Sequence, residues 1–242
     1  MKVNILKKLV HAEQQEDEDV PGSVLIQDAE ERQKFLSNPD NTLLVSFPRT
    51  GSHWLRMLME LYFERPSLVR VFYYPERKDY LTYHTHDMQL EIEHPTILYL
   101  YRDPVDTIYS QLRYHKESIN DHDRILYWSN LYGRHLEKWL VKEKFTRKKT
   151  ILHYEGFKAD MAAEFAKVTQ HFGLELDGGK LALVAARVTH EEVKEKTVHD
   201  PQVINAQMGY DAARKKFCKK FSELIWRILL YEREYLNEYF KN

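Results

Sequence analysis

The segment around residue 50 combines residue types that bind a phosphate group. An apolar run at residues 42–47 predicts a buried strand, a turn follows at residues 48–52, and a helical pattern begins near His53. The first turn of a helix has backbone N–H groups without intrahelical partners and the positive end of the helix dipole, so it suits an anion. Gly51 lets the backbone approach a ligand closely. A cation and two hydroxyls complete the turn: Arg49, Thr50 and Ser52.

The same turn lacks the features of a Mg–nucleotide site. The order Gly-Lys-Ser/Thr at a helix start is absent, and the cation Arg49 precedes Gly51 instead of following it. The turn can therefore hold an anion without the usual Mg–nucleotide apparatus. On this segment alone, an ordinary strand-to-helix turn with N-capping hydroxyls is the alternative.

An arginine and a serine form a second candidate phosphate site. Arg102 ends a strand predicted for residues 96–101, and Ser110 lies eight residues later, about two turns into a helix predicted for residues 105–115. A guanidinium and a hydroxyl can bind one phosphate together. Taken alone, a salt bridge at the strand end explains Arg102 as well.

Two histidines lie between these motifs, in the run Tyr83-His84-Thr85-His86-Asp87. Histidine is the usual general base near neutral pH, so His86 is a candidate to accept a proton from a nucleophile. The alternating pattern is also compatible with a zinc ligand pair or with inert histidines at a strand end. His53, His115 and His153 are weaker candidates for the base.

Composition narrows the class of protein. The 242 residues carry 36 Lys+Arg and 37 Asp+Glu, and this balance argues against binding duplex DNA. Cys218 is the single cysteine, which excludes a disulfide framework and is compatible with a reducing compartment. We find no apolar run long enough to span a membrane and no secretory signal, so we expect a cytoplasmic protein.

The order of predicted elements positions the motifs. Apolar runs at residues 42–47, 96–101 and 150–154 predict strands, and each is followed by a helical pattern, at 53–63, 105–115 and 158–172. This alternation predicts an α/β fold with a parallel sheet flanked by α-helices, in one domain over residues 1–242.

The remaining segments include three predicted helices and two irregular stretches. Residues 28–36 predict a short helix, and residues 124–145 and 217–239 predict long amphipathic helices. Residues 189–211 are polar and weakly periodic, which indicates a loop or mobile flap. Residues 1–27 form an acidic N-terminal arm that is mobile or, in the alternative, a lid over a cationic substrate.

The phosphate motifs resemble a known family. The run Phe47-Pro-Arg-Thr-Gly-Ser-His-Trp resembles the 5′-phosphosulfate loop of sulfotransferases that use 3′-phosphoadenosine 5′-phosphosulfate (PAPS), commonly Tyr/Phe-Pro-Lys-Ser/Thr-Gly-Thr-Thr-Trp. Arg49 stands at the lysine position and His53 at the second hydroxyl position. Arg102 and Ser110 are similar to the motif that binds the 3′-phosphate in that family. The resemblance points to the small-molecule, cytosolic-type branch, in a bacterial-type member, and to the P-loop-like sulfotransferase fold.

The resemblance implies a role for each matching residue. The cofactor-binding set would be Arg49, Thr50, Gly51, Ser52, His53, Trp54, Arg102, Ser110 and Tyr154. The catalytic set would be His86 as general base with Arg49 and with His84, which replaces a family lysine. No metal is required. The family's late Arg-Lys-Gly loop is not found, and its cation has five candidate substitutes: Lys194, Lys196, Arg214, Lys215 and Lys216.

Together these features predict an enzyme that transfers a sulfuryl group from PAPS, with 3′-phosphoadenosine 5′-phosphate (PAP) as product. The acceptor would be a hydroxyl or amine of a small molecule (an alcohol, phenol or amine), as in natural-product tailoring. Two alternatives stay open: a P-loop nucleotide kinase or phosphotransferase, and a non-catalytic nucleotide-binding module. Dependence on Mg²⁺ separates the first alternative, and binding without transfer separates the second.

Overall fold

The computed structural model describes residues 23–26, 28–142, 144–197 and 209–241. Strands in these ranges are β1 (Val24–Leu25), β2 (Thr42–Ser46), β3 (Ser67–Leu68), β4 (Arg70–Val71), β5 (Thr82–Thr85), β6 (Thr96–Tyr101) and β7 (Lys148–His153). The α-helices are α1 (Ala29–Ser37), α2 (Ser52–Phe63), α3 (Pro104–Tyr114), α4 (His122–Leu136), α5 (Tyr154–Ala159), α6 (Met161–His171), α7 (Gly178–Arg187), α8 (His190–Lys196) and α9 (Tyr210–Leu230). A π-helical segment covers Glu137–Lys142, and a 3₁₀ helix covers Glu234–Tyr239.

Five parallel strands form the central sheet in the order β3-β5-β2-β6-β7. Alternate residues of β2 point to opposite faces: Leu43 and Val45 join one apolar cluster, and Leu44 joins another. Side chains of α3, α4 and α9 complete the first cluster, and those of α2, α6 and α7 complete the second. The α/β fold with a helix-flanked parallel sheet is therefore confirmed.

Three predicted helices differ in their bounds. The helix predicted for residues 158–172 is two helices, α5 and α6, because Asp160 has an extended backbone and its carboxylate N-caps α6 at Ala163. The helix predicted for 124–145 is α-helical only to Leu136 and continues as the π segment. The helix predicted for 217–239 is α9, which begins at Tyr210 and ends before Glu232, whose φ is +59°.

Two predicted irregular segments contain regular structure. The predicted flap at 189–211 includes α8, with Thr189 as its N-cap, and the start of α9, while residues 198–208 lie outside the described residues. In the N-terminal arm, β1 pairs antiparallel with β4. Most of the arm, residues 1–22 and 27, also lies outside the described part of the chain.

Candidate active site

The carboxyl edge of the parallel sheet brings the sequence motifs together. Four neighbouring strands end there, and the next residues along the chain include His86 after β5, Phe47 after β2, Arg102 after β6 and Tyr154 after β7. Because parallel strands end at the same edge, segments about 50 residues apart in the chain become neighbours in space.

The turn after β2 is built as an anion site. Gly51, with φ +96°, is the N-cap of α2 and supplies no side-chain cap, and the first helical bond runs from Leu55 N–H to the Gly51 carbonyl at 3.1 Å. The backbone N–H groups before Leu55 therefore have no partner within the helix and can donate hydrogen bonds to an anion. The Thr50 hydroxyl donates to the Phe47 carbonyl at 2.8 Å, so it holds the turn itself.

Aromatic rings flank this turn. The Tyr154 ring packs directly on Gly51, where a Cβ atom would approach it to 2.7 Å. Trp54 meets Tyr154 edge-on, with ring centroids 6.0 Å apart, and the Arg102 guanidinium lies over the Tyr154 ring at 4.6 Å. The sequence predicted Tyr154 as the last residue of a strand, but in the structure this residue begins α5. Two aromatic side chains suited to contact a nucleotide base thus stand beside the turn.

The two predicted phosphate motifs contact each other. Arg49 Nε donates to Ser110 Oγ at 3.2 Å, and Arg102 Nη1 donates to the Arg49 carbonyl at 3.2 Å. The Arg49 guanidinium also lies over the Tyr114 ring at 4.9 Å. The side chain of Arg49 therefore extends from the first motif into the second.

Arg102 lies among charged groups that the sequence did not assign. Its Nη2 is 3.5 Å from Asp106 Oδ2 and its Nε is 3.7 Å from Glu155 Oε1. Arg214 makes a two-point pair with the same Asp106, with Nε donating to Oδ1 at 2.6 Å. Arg102 Nε is buried without a hydrogen-bond partner in the described part of the chain.

Of the five candidate substitutes for the family's late cation, Arg214 is the one that pairs within this cluster in the described ranges. Lys196 lies over the Tyr73 ring at 5.1 Å, and Lys215 and Lys216 are exposed. Asp106 was missed in the sequence, although it stands four residues after Arg102, in the first turn of α3.

His86 and His84 occupy different environments. His86 is half-buried, and its Nδ1 is 2.9 Å from the Ser46 carbonyl. His84 is buried, and its Nε2 is 3.0 Å from Ser46 Oγ. Burial, with the neighbouring His86 and Arg56, holds the pKa of His84 well below its usual range, so the ring is neutral near pH 7. His84 therefore carries no positive charge at the family's lysine position.

The three histidines named as weaker candidates for the base lie in other environments. Burial and the nearby Arg70, Arg56 and Arg49 hold the pKa of His53 well below its usual range. His115 stacks on Trp128 at 5.0 Å, and His153 stacks on Tyr101 at 4.5 Å. Within the described ranges, no group of three or more His, Cys, Asp or Glu side chains has the geometry of a metal site.

The aromatic residues before His86 are largely part of the core. Tyr62, Phe72, Tyr80 and Tyr83 are buried. Tyr73 is half-buried and donates its hydroxyl to Glu192 on α8 at 3.0 Å. The aromatic content of this segment therefore stabilises the fold more than it lines an open surface.

The geometry agrees with the comparison to known families. The family model described as "Sulfotransferase domain" matches residues 76–241, well over half of the chain. The chain belongs to the sulfotransferase family. The matched segment includes the two histidines, Arg102, Ser110 and Arg214, whereas the turn after β2 precedes it. This sulfotransferase is thus an enzyme of the class that the sequence predicted.

Solved structures show the same fold. Mouse sulfotransferase SULT7A1, complexed with PAP, is 18% identical with a TM-score of 0.52, over 85% of this chain and 90% of that one. Retinol dehydratase in complex with androsterone and the inactive cofactor PAP is 13% identical with a TM-score of 0.55, over 82% and 83%. At these identities the likeness concerns the fold. No curated protein sequence matches the chain. None of the described helices is long and apolar enough to cross a membrane.

Replacing Gly51 tests how closely the turn is packed. Gly51→Ala adds a Cβ at positive φ and 2.7 Å from the Tyr154 ring, so we expect the free energy of unfolding to fall by about 2–3 kcal/mol. The measurement is urea denaturation. Gly173→Ala is the matched control, since φ is +73° there but nothing lies within 4 Å, and it should cost about 1–2 kcal/mol. Equal losses for both variants would show that the ring contact contributes nothing.

Proposed function

We propose that this sulfotransferase uses PAPS as donor and transfers its sulfuryl group to a hydroxyl or amine of a small molecule. The observation that carries the proposal is the junction of the two phosphate motifs, where Arg49 reaches Ser110 and Arg102 reaches the Arg49 carbonyl. One site with a helix N-terminus at one end and guanidinium groups at the other suits a nucleotide with phosphates at both 5′ and 3′ positions. A cytoplasmic location is part of the proposal.

The residues present fit such a donor. Outward-facing N–H groups at the start of α2 would hold the 5′-phosphosulfate, and Trp54 and Tyr154 would contact the base. Ser110 and the guanidinium of Arg102 would bind the 3′-phosphate. The structurally similar proteins compared above were crystallised with PAP. Retinol dehydratase was also crystallised with androsterone or retinol, which supports a small-molecule acceptor.

In the proposed reaction, His86 accepts the proton of the acceptor group while that group's oxygen or nitrogen forms a bond to sulfur. The bond between sulfur and the 5′-phosphate oxygen breaks, and its electron pair leaves with PAP. The positive end of α2 would stabilise the charge that develops on the leaving oxygen. Transfer of this kind depends on positioning and electrostatics and needs no metal by itself.

The first test is a binding titration of PAP, AMP and ATP, the last with and without Mg²⁺. We expect PAP to bind most tightly and independently of metal. Arg102→Ala and Ser110→Ala should weaken PAP binding by about 10- to 100-fold, because each removes a charge-assisted hydrogen bond, and should leave AMP binding nearly unchanged. A preference for Mg-ATP would point to a kinase. Equal losses of affinity for PAP and AMP would show that Arg102 and Ser110 do not bind the 3′-phosphate.

His86→Ala tests the general base. We expect kcat to fall by about 10²- to 10⁴-fold in a sulfuryl-transfer assay, while the Kd for PAP stays within about twofold. His115→Ala, which alters a histidine stacked on Trp128, should keep most of the turnover. Near-normal turnover in the His86 variant would contradict the assignment, and PAP binding without transfer to any acceptor would favour a non-catalytic module.

Arg214 is proposed as the cation that replaces the family's late arginine. Arg214 makes a two-point pair with Asp106, and the same carboxylate lies 3.5 Å from Arg102 Nη2, so Arg214 offsets a negative charge beside Arg102. Without Arg214, the charge of Asp106 would be less compensated and would repel a phosphate held by Arg102.

The Arg214→Ala variant should therefore bind PAP about tenfold more weakly, and the double variant Asp106→Asn/Arg214→Ala should regain much of that loss. Arg227→Ala is the matched control, because Arg227 lies on the same helix in an exposed pair with Glu223. The measurement is PAP titration by calorimetry. An unchanged Kd in Arg214→Ala would assign this arginine to structure alone.

A further inference from the structure

The ring of His86 has a defined proton position. Its Nδ1 lies 2.9 Å from the Ser46 carbonyl oxygen. A carbonyl oxygen only accepts hydrogen bonds, so Nδ1 carries the hydrogen. In a neutral imidazole the lone pair then lies on Nε2. The contact with the Ser46 carbonyl therefore favours one tautomer of His86, the one in which Nε2 is the basic nitrogen, and the Ser46 side chain can add to that preference.

The Ser46 hydroxyl connects His86 to His84. Ser46 Oγ is 3.0 Å from His84 Nε2 and 3.4 Å from His86 Nδ1, and the two rings are perpendicular with centroids 4.6 Å apart. A hydroxyl has one proton. When Ser46 donates that proton to His84 Nε2, its lone pairs face the Nδ1–H of His86 and favour the same tautomer.

His84 can keep this role because its ring stays neutral. It is buried, and the positive charges of Arg56 and Arg70 oppose protonation of its ring. A protonated His84 would donate from Nε2 and turn the Ser46 proton toward His86, where it would compete with Nδ1–H. Lysine, the family's residue here, could only donate, whereas a neutral imidazole can also accept the Ser46 proton.

A third histidine holds the backbone of His86. His135 Nε2 donates to the His86 carbonyl at 2.9 Å, and its Nδ1 accepts from the Tyr99 hydroxyl at 2.9 Å. Burial lowers the pKa of His135 to about 3, so the ring remains neutral with both nitrogens engaged. The main chain and the ring of His86 are thus held by separate partners.

We propose that Ser46 and His84 are positioning residues that hold His86 in the Nδ1–H tautomer and leave Nε2 to accept the acceptor's proton. The task of Nε2 rests on the proposed function. The tautomer does not, because it is a property of the ligand-free protein and can be measured without any reaction.

The first experiment measures the tautomer by long-range ¹H–¹⁵N correlation spectra of the ligand-free protein at about pH 8, where an ordinary histidine is neutral. We expect the Nδ1–H pattern for His86 in the native protein. Ser46→Ala and His84→Leu should each give a mixture of tautomers. His84→Gln should keep the native pattern, since its amide oxygen can accept the same hydrogen bond.

A matched control comes from a similar buried histidine elsewhere. His171 lies between the hydroxyls of Thr42 and Thr150, at 3.1 and 2.9 Å, and is also buried. His171→Gln should leave the His86 spectrum and the turnover unchanged. An Nε2–H pattern in the native protein, or native patterns in both Ser46→Ala and His84→Leu, would overturn the proposal.

The second experiment measures turnover once an acceptor is in hand. Loss of one hydrogen bond should lower kcat about fivefold in Ser46→Ala and in His84→Leu, with KM nearly unchanged. The double variant should lose no more than the worse single variant, because both act through one contact. Multiplicative losses would overturn the coupling. Absence of sulfuryl transfer in the native protein would instead refute the proposed function and leave the spectra to decide the tautomer.

Discussion

Residues of β2 pair on both sides with parallel strands, Leu43 with Tyr83 of β5 on one side and with Ile97 of β6 on the other. This central position means that helices cover both faces of β2, and its run of residues is buried throughout. It also means that the turn after β2 lies between the ends of β5 and β6. The histidine motif and the Arg102 motif therefore reach the same turn without any long loop.

Under the proposed function, positive charge and proton transfer belong to different residue types at this edge. The cations are arginines, which remain charged at any pH the enzyme meets. Nearby guanidinium groups and burial keep His53 and His84 neutral, so these rings serve as hydrogen-bonding groups. Anion binding by such a site does not vary with histidine protonation.

Local patterns predicted most of what lies within one strand–turn–helix unit. The bounds of β6 matched the apolar run, and α2 began within one residue of its expected start. Arg102 and Ser110 were paired in the sequence by their resemblance to the family's 3′-phosphate motif, and in the structure both contact Arg49. The break at Asp160 was missed, although an aspartate three residues before a helical N–H is an N-cap pattern.

Contacts between distant segments could not be predicted in the same way. Arg214 pairs with Asp106 across 108 residues, and several lysines and arginines in the C-terminal third had equal claims until α9 was seen packed against α3. Ser46 was unremarkable as the last residue of an apolar strand. Its bonds to His84 and His86 arise only from the parallel register of β2 and β5, which a single sequence does not reveal.

The contacts of Arg49 explain why arginine suits the position where the family's phosphosulfate loop commonly has lysine. Arg49 has φ +71°, and its guanidinium both donates to Ser110 and stacks over Tyr114. A planar guanidinium can make both contacts at once, whereas an ammonium group stacks less well and has no fork of donors. Held there, the charge of Arg49 would contribute to the 3′-phosphate end of the proposed site. In the proposed reaction, the leaving oxygen at the other end would then be stabilised by the backbone N–H groups and dipole of α2, whose N-cap is Gly51.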